Sequence, residues 1–224
     1  MTRRRKRLWP SGRSSDRKGP VKLTKLSLTV VVVVIMAGVV LGVQALRAAR
    51  RAAAREPVAS GRTFGVPDAR VHVEEFTDFQ CPACAQAAAM LHEEMKKEGA
   101  RLFVEVKHFP LAMHRHARLA AMAAQCALQQ NRFWGMQESI FRMQAAWTVA
   151  NDPTDYFLSL ARGLGLDDEA MMRCLSDRSV AAVIDADIAE GKRLGVSATP
   201  TFFVNGKMAV GGPNFQAALR EALK

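Results

Sequence analysis

Cys81 and Cys84 stand two residues apart in Phe79-Gln80-Cys81-Pro82-Ala83-Cys84-Ala85, between an extended run, Val71 to Phe76, and a helix-forming run, Ala85 to Glu98. Such a pair at a strand-to-helix junction reads as a redox pair. Cys81 falls at or just before the first helical turn, where unpaired N–H groups and the positive end of the helix dipole favour an anion. The thiolate is the nucleophile of disulfide exchange, and this setting lowers a cysteine pKa from about 8.5 into the range of roughly 3.5–7.5. Cys84, one turn along, is placed to resolve a mixed disulfide formed at Cys81. Pro82 suits the first turn, where no N–H partner is needed. A structural zinc site is the other use of such a pair, but it needs a second closely spaced Cys/His pair. The remaining cysteines, Cys126 and Cys174, are far apart in the chain.

The elements around the pair are those of an α/β domain. Val71–Phe76 and Arg101–Lys107 are predicted strands flanking the Ala85–Glu98 helix, which makes a right-handed βαβ unit. Thr63-Phe64-Gly65 reads as a short edge strand and Val66-Pro67-Asp68-Ala69 as a turn. Residues 114–194 form a helical block: Leu119, Met122 and Cys126 share one helical face, and Val180, Ile184 and Ile188 another. Asn205-Gly206 between Thr201–Val204 and Lys207–Val210 signals a hairpin. Gly211-Gly212-Pro213 ends the second strand, and Asn214 is expected to cap a final helix, Phe215–Leu223.

The net charge of +11 is unevenly spread. Residues 1–55 hold 14 of the 32 basic residues against one acid, Asp16, whereas the remaining 18 basic residues face 20 acidic ones. A nucleic-acid surface would be a basic property of the folded domain, and this domain is close to neutral, so no nucleic-acid partner is expected. The basic charge belongs to targeting. Residues 1–25 read as a basic cytoplasmic tail, Leu26–Leu46 as an uncharged transmembrane helix about 31 Å long, and 47–61 as a linker. The positive-inside rule leaves the amino terminus cytoplasmic and the following domain extracytoplasmic. A cleaved signal peptide, giving a secreted product, is the less favoured alternative, because its apolar region is only 7–15 residues long.

With these elements in place, residues 60–224 resemble the DsbA family of thioredoxin-fold thiol:disulfide oxidoreductases, in particular its membrane-tethered BdbD-like members. The likeness rests on Glu75-Phe76-Thr77-Asp78-Phe79-Gln80-Cys81-Pro82-Ala83-Cys84, on Phe109-Pro110-Leu111 followed by His116-Ala117, on Phe133-Trp134, and on Gly195-Val196-Ser197-Ala198-Thr199-Pro200-Thr201-Phe202-Phe203-Val204-Asn205-Gly206. It implies a thioredoxin-like fold for 62–224 with a helical insertion at 113–194. It also implies disulfide exchange through Cys81 and Cys84, and no cofactor or metal. The expected partners are exported thiol-containing proteins and a quinone-linked membrane oxidase of the DsbB or VKOR type. Substrate is expected to rest against Pro82, Ala83 and the backbone of Thr199, with a cis Thr199-Pro200 bond facing the cysteines. By the residues alone, Pro200 reads as an ordinary trans proline opening a strand.

Ala83 departs from the pattern, since strongly oxidising members of the family often carry His there; a less oxidising disulfide is expected. This keeps a reductase or isomerase, such as one serving cytochrome c maturation, as an alternative direction of the same chemistry. A redox-inactive peptide-binding chaperone is the alternative from another class. In the family, a buried acid at the position of Glu75 tunes the cysteines and relays protons; an exposed Glu75 is the plain alternative, and Lys107 is a candidate ion partner. Cys126 and Cys174 are either small buried side chains or, as befits an exported protein with an even cysteine count, a structural disulfide. His108, His114 and His116 lack a metal-ligand set and read as ordinary polar or helix-surface residues. Trp134 and Trp147 read as core residues of the helical block, and the methionines as gap-fillers, some lining an adaptable substrate groove.

Overall fold

The computed structural model describes residues 25–53 and 58–224; the basic tail 1–24 lies outside the described residues. Two compact units divide the chain, Met1–Arg50 and Arg51–Lys224. The first contains helix α1 (Lys25–Ala53) as far as Arg50. Its described side chains, Val30 to Leu46, expose valine, isoleucine, methionine and leucine on all sides. No helix among the described residues is long and apolar enough to cross a membrane. Counted over 30–46 alone, α1 is about 25 Å long, short of a core of about 30 Å.

The second unit is built on a six-stranded sheet. Its strands are β1 (Val58–Ser60), β2 (Thr63–Gly65), β3 (Val71–Thr77), β4 (Leu102–His108), β5 (Thr201–Val204) and β6 (Lys207–Val210), in spatial order β1-β2-β4-β3-β5-β6. Only β3 and β4 run parallel, joined by α2 (Pro82–Glu98), so the predicted βαβ unit is present. The other pairs are antiparallel. Between β4 and β5 the chain makes the helical block: α3 (Ala117–Gln129), α4 (Phe133–Arg142), α5 (Gln144–Trp147), α6 (Thr154–Gly163), α7 (Asp168–Leu175) and α8 (Arg178–Arg193). A last helix, α9 (Gly212–Ala222), follows β6.

Strand alternation distributes the two faces of the sheet. Val71 and Val73 pack with Ala87 and Leu91 of α2 and Phe215 and Leu219 of α9. Phe76, from the opposite face, packs with Phe109 and Val196, with Ile188 of α8 against them. The helical block has its own core, in which Trp147 is fully buried and donates its indole N–H to the Ile140 carbonyl at 2.8 Å. Trp134 is only half buried, and its indole N–H reaches the Thr63 carbonyl at 3.2 Å. The Asn205-Gly206 turn has both residues at positive φ, 47° and 79°, as a two-residue hairpin requires.

Helix α2 starts at Pro82, the first-turn position predicted for that proline. Three expectations are corrected. Thr63–Gly65 is not an edge strand: β1, in the stretch read as linker, pairs outside it. At Gly65 the strands approach so closely that a Cβ would sit 1.9 Å from the Leu102 carbonyl oxygen. Asn214 does not cap α9: Gly211, at φ 82°, holds that position, and Asn214 lies in the first turn donating to the Val210 carbonyl. Lys107 pairs with Glu105 and Glu190, not Glu75. The register explains the last point, since Lys107 is level with Phe76 and so on the opposite face from Glu75.

Candidate active site

Cys81 is the N-cap residue of α2, in extended conformation, and Cys84 lies in the first turn. Both are free thiols. Cys81 retains 8% exposure and Cys84 none, so an incoming sulfur meets Cys81 first. The Cys81 thiol is drawn down to about 5, chiefly by a hydrogen bond from the Cys84 thiol, with burial opposing and backbone N–H groups of Cys84 and Ala83 adding to it. The helix N-terminus supplies those N–H groups. Burial pushes the Cys84 thiol strongly up. One sulfur is thus held as the anion and its neighbour as the proton carrier.

Pro82 and Ala83 are exposed beside Cys81. The Thr199-Pro200 bond is cis, and the Cys81 thiol reaches the Thr199 carbonyl oxygen at 3.5 Å. The two segments, more than a hundred residues apart in sequence, therefore meet at the reactive sulfur. Glu75 lies on the α2-facing side of β3, fully buried, and neither carboxylate oxygen has a hydrogen-bond partner. Burial raises its pKa to about 7, and the neighbouring Thr77 hydroxyl works weakly against this without the alignment of a hydrogen bond.

Native Glu75 holds its proton more tightly than the unfolded chain does, so its contribution to native stability is fully present below about pH 4.5 and is lost as pH rises through about 7. The shift corresponds to roughly 3 kcal/mol. Glu75→Gln is expected to match wild type in urea melts at pH 4.5 and to exceed it by about 3 kcal/mol at pH 8. An identical difference at both pH values would refute a buried, unpartnered carboxylate.

Sequence reasoning missed the polar frame around the pair. Asp78 is buried, and its carboxylate accepts from the N–H of Gln80 at 2.7 Å, the N–H of Leu111 at 2.8 Å and Nδ1 of His114 at 2.7 Å. Its backbone N–H points at the Cys84 sulfur at 3.5 Å, and its carbonyl accepts from the Cys81 N–H. The Gln80 side chain takes the N–H of His116, and Gln144 donates to the carbonyls of Phe79 and Cys81. His108, read as an ordinary polar or helix-surface residue, is wholly buried in β4; Nε2 meets Gln125 at 3.1 Å, and burial lowers its pKa to about 4. Among the described residues no three His, Cys, Asp or Glu side chains are grouped to hold a metal.

Cys126 and Cys174 are joined by a disulfide, S–S 2.08 Å, which ties α3 to α7. A groove of about 810 Å³ lies between α2 and α4 and is lined in part by Ala85, Ala88, His92, Trp134 and Phe141. It does not include either reactive cysteine.

The thioredoxin family model matches residues 58–224. A Na(+)/H(+) antiporter NhaA 3 of Salinispora tropica is 35% identical over 154 residues, which is 68% of this chain. The chain spans about a quarter, 23%, of that protein's length. Among solved structures, a thioredoxin-like oxidoreductase from Silicibacter pomeroyi is 26% identical, with a TM-score of 0.60, covering 71% of this chain and 90% of that one. BdbD from Bacillus subtilis is 22% identical, with a TM-score of 0.63, covering 76% and 97%. The chain belongs to the thioredoxin family, and residues 58–224 adopt its DsbA-like fold.

Proposed function

We propose that this chain is an extracytoplasmic thiol:disulfide oxidoreductase that introduces disulfide bonds into exported proteins. The observation that carries this is the asymmetry of the pair: a low-pKa, partly accessible Cys81 beside a buried, high-pKa Cys84, both facing Thr199-Pro200. In the oxidised enzyme a substrate thiolate attacks Cys81, the Cys81–Cys84 bond breaks, and the electron pair leaves on Cys84. Cys84 is the leaving thiol that must be protonated, and Glu75, on the sheet face beneath α2, supplies that proton. The substrate's second thiolate then displaces Cys81 and carries the disulfide away. The exposed Thr199 backbone offers an extended substrate segment the pairing of an added strand. Reoxidation falls to a quinone-linked membrane oxidase of the DsbB or VKOR type.

An uncleaved anchor over Leu26–Leu46 confines the enzyme and that oxidase to one surface and raises their effective concentration. The uncharged run and the all-round apolar exposure of α1 support the anchor.

Washed membranes carrying the full chain test both parts. The protein is expected to stay in the pellet after alkaline carbonate and to oxidise a dithiol peptide. The potential of its couple follows from the thiolate. A pKa near 7 accompanies about −270 mV in thioredoxin, and a lower thiolate pKa stabilises the reduced form, so this couple is expected above about −270 mV. A value near −120 mV would refute the assignment of a milder oxidant to Ala83. A value well below −270 mV, with insulin reduced and no dithiol oxidised, would show the reductase instead.

A further inference from the structure

The exchange begins with a proton that the residues described so far do not handle. A substrate thiol with the ordinary pKa of about 8.5 is only about 3% ionised at pH 7, yet the thiolate is the species that attacks. Pro82 and Ala83, which flank the attack point, have no proton to exchange. Glu75 is wholly buried and serves the Cys84 side.

His114 is differently placed. Its imidazole is 22% exposed and is fixed by Nδ1 against the fully buried side chain of Asp78 at 2.7 Å. Asp78 is also the residue whose carbonyl holds the Cys81 N–H and whose carboxylate holds the Gln80 N–H. A single residue therefore joins the imidazole to the nucleophile's own backbone. A carboxylate on one ring nitrogen sets the tautomer, placing the proton on Nδ1 and the lone pair on Nε2. No protein group bonds that nitrogen among the described contacts. An oriented imidazole with one free nitrogen is the arrangement of a general base.

We propose that His114, oriented by Asp78, is the general base that takes the proton from the incoming substrate thiol. The proton passes from substrate sulfur to Nε2, the resulting thiolate bonds to Cys81, and the electrons of the broken Cys81–Cys84 bond leave on Cys84. His114 returns its proton to water before the second substrate thiol enters. This rests on the oxidoreductase function proposed above. The charged and titratable groups facing this loop are Asp78, Arg115, His116 and Asp152. Arg115 and His116 are engaged with the Ala150 carbonyl, and the Asp152 carboxylate is held low chiefly by its bonds from Thr154.

His114→Gln separates catalysis from packing, since glutamine can still donate to Asp78 but exchanges no proton. The full chain in detergent, with its Cys81–Cys84 bond formed by diamide, is mixed with a fluorescent dithiol peptide and followed in a single turnover from pH 6 to 9.5. The ceiling set by 3% ionisation is about 30-fold, and a loss of about 10-fold is expected in H114Q at pH 7. The deficit should close by pH 9.5, where the peptide ionises unaided, and should vanish at pH 7 for a peptide carrying two aryl thiols. An equal deficit at every pH, or for both peptides, would show a merely structural histidine and overturn the proposal, as would no deficit at all. Wild type that fails to oxidise either peptide would sink the oxidoreductase function, and this role with it.

Discussion

Cys81→Ser is expected to lower the rate of peptide oxidation by on the order of 10³-fold or more, to that of uncatalysed exchange. A serine hydroxyl forms no disulfide, so neither half of the exchange survives. The substitution removes no large side chain, and circular dichroism should be unchanged. Cys84→Ala separates the two sulfurs in another way. With the resolving thiol gone, the Cys81 thiolate still attacks a supplied disulfide but stops there. Mass spectrometry should show one partner covalently attached at Cys81 and released by reductant. The electrostatics of the pair give a further check, because the Cys81 thiolate is stabilised chiefly by the Cys84 thiol. C84A should therefore raise the pH at which Cys81 is alkylated, above the midpoint of about 5 in the native protein. Retention of full oxidase activity in C81S would end the account. Unaltered suppression of aggregation by C81S, with no redox turnover in wild type, would instead identify a peptide-binding chaperone.

The second large effect concerns stability. The Cys126–Cys174 bond closes a loop of 48 residues inside the helical block. In the chain-entropy model, a crosslink of that span disfavours the unfolded state by about 4 kcal/mol. Replacing both cysteines by alanine should lower the melting temperature of the domain by roughly 10 °C. The potential of the Cys81/Cys84 couple should be unchanged, since no hydrogen bond or electrostatic contribution from Cys126 or Cys174 reaches the pair. Both effects are read from one protein sample, by calorimetry and by equilibration with glutathione. A melting temperature equal to wild type would mean that the bond does not constrain the unfolded chain as the entropy model requires.

What could be read in the residues divides by range. The pair at Cys81 and Cys84, the Asn205-Gly206 hairpin and the βαβ unit are local patterns, and each was legible because turn chemistry and periodicity act over a few residues. The burial of Glu75 was open, because alternation fixes which face a side chain takes and not what covers that face. Lys107 was misplaced for the same reason: it is one register step from the level of Glu75, and one step reverses the face. Asp78, Gln80 and His114 are visible in the sequence, but the bonds they make around the pair are not. Their contacts join residues more than thirty positions apart, and an aspartate immediately before the phenylalanine of the motif looks like any loop acid. The signal present was composition: three polar residues able to bond backbone, packed around a cysteine pair that has to be held still. Asn214 was misread because Gly211-Gly212-Pro213 both ends a strand and opens a helix, and the two duties overlap.

The way the helical block is attached has a mechanical consequence. The chain leaves the sheet through Phe109–His116 and comes back through Leu194–Pro200. The outgoing passage is bolted to Asp78 and Gln80, and the returning one ends at the Thr199 carbonyl that faces Cys81. Cys81 thus occupies the seam where the two halves of the domain are stitched together. Tilting the block would therefore change the spacing between the Thr199 carbonyl and the Cys81 sulfur, and with it how closely a polypeptide laid against Thr199 approaches that sulfur.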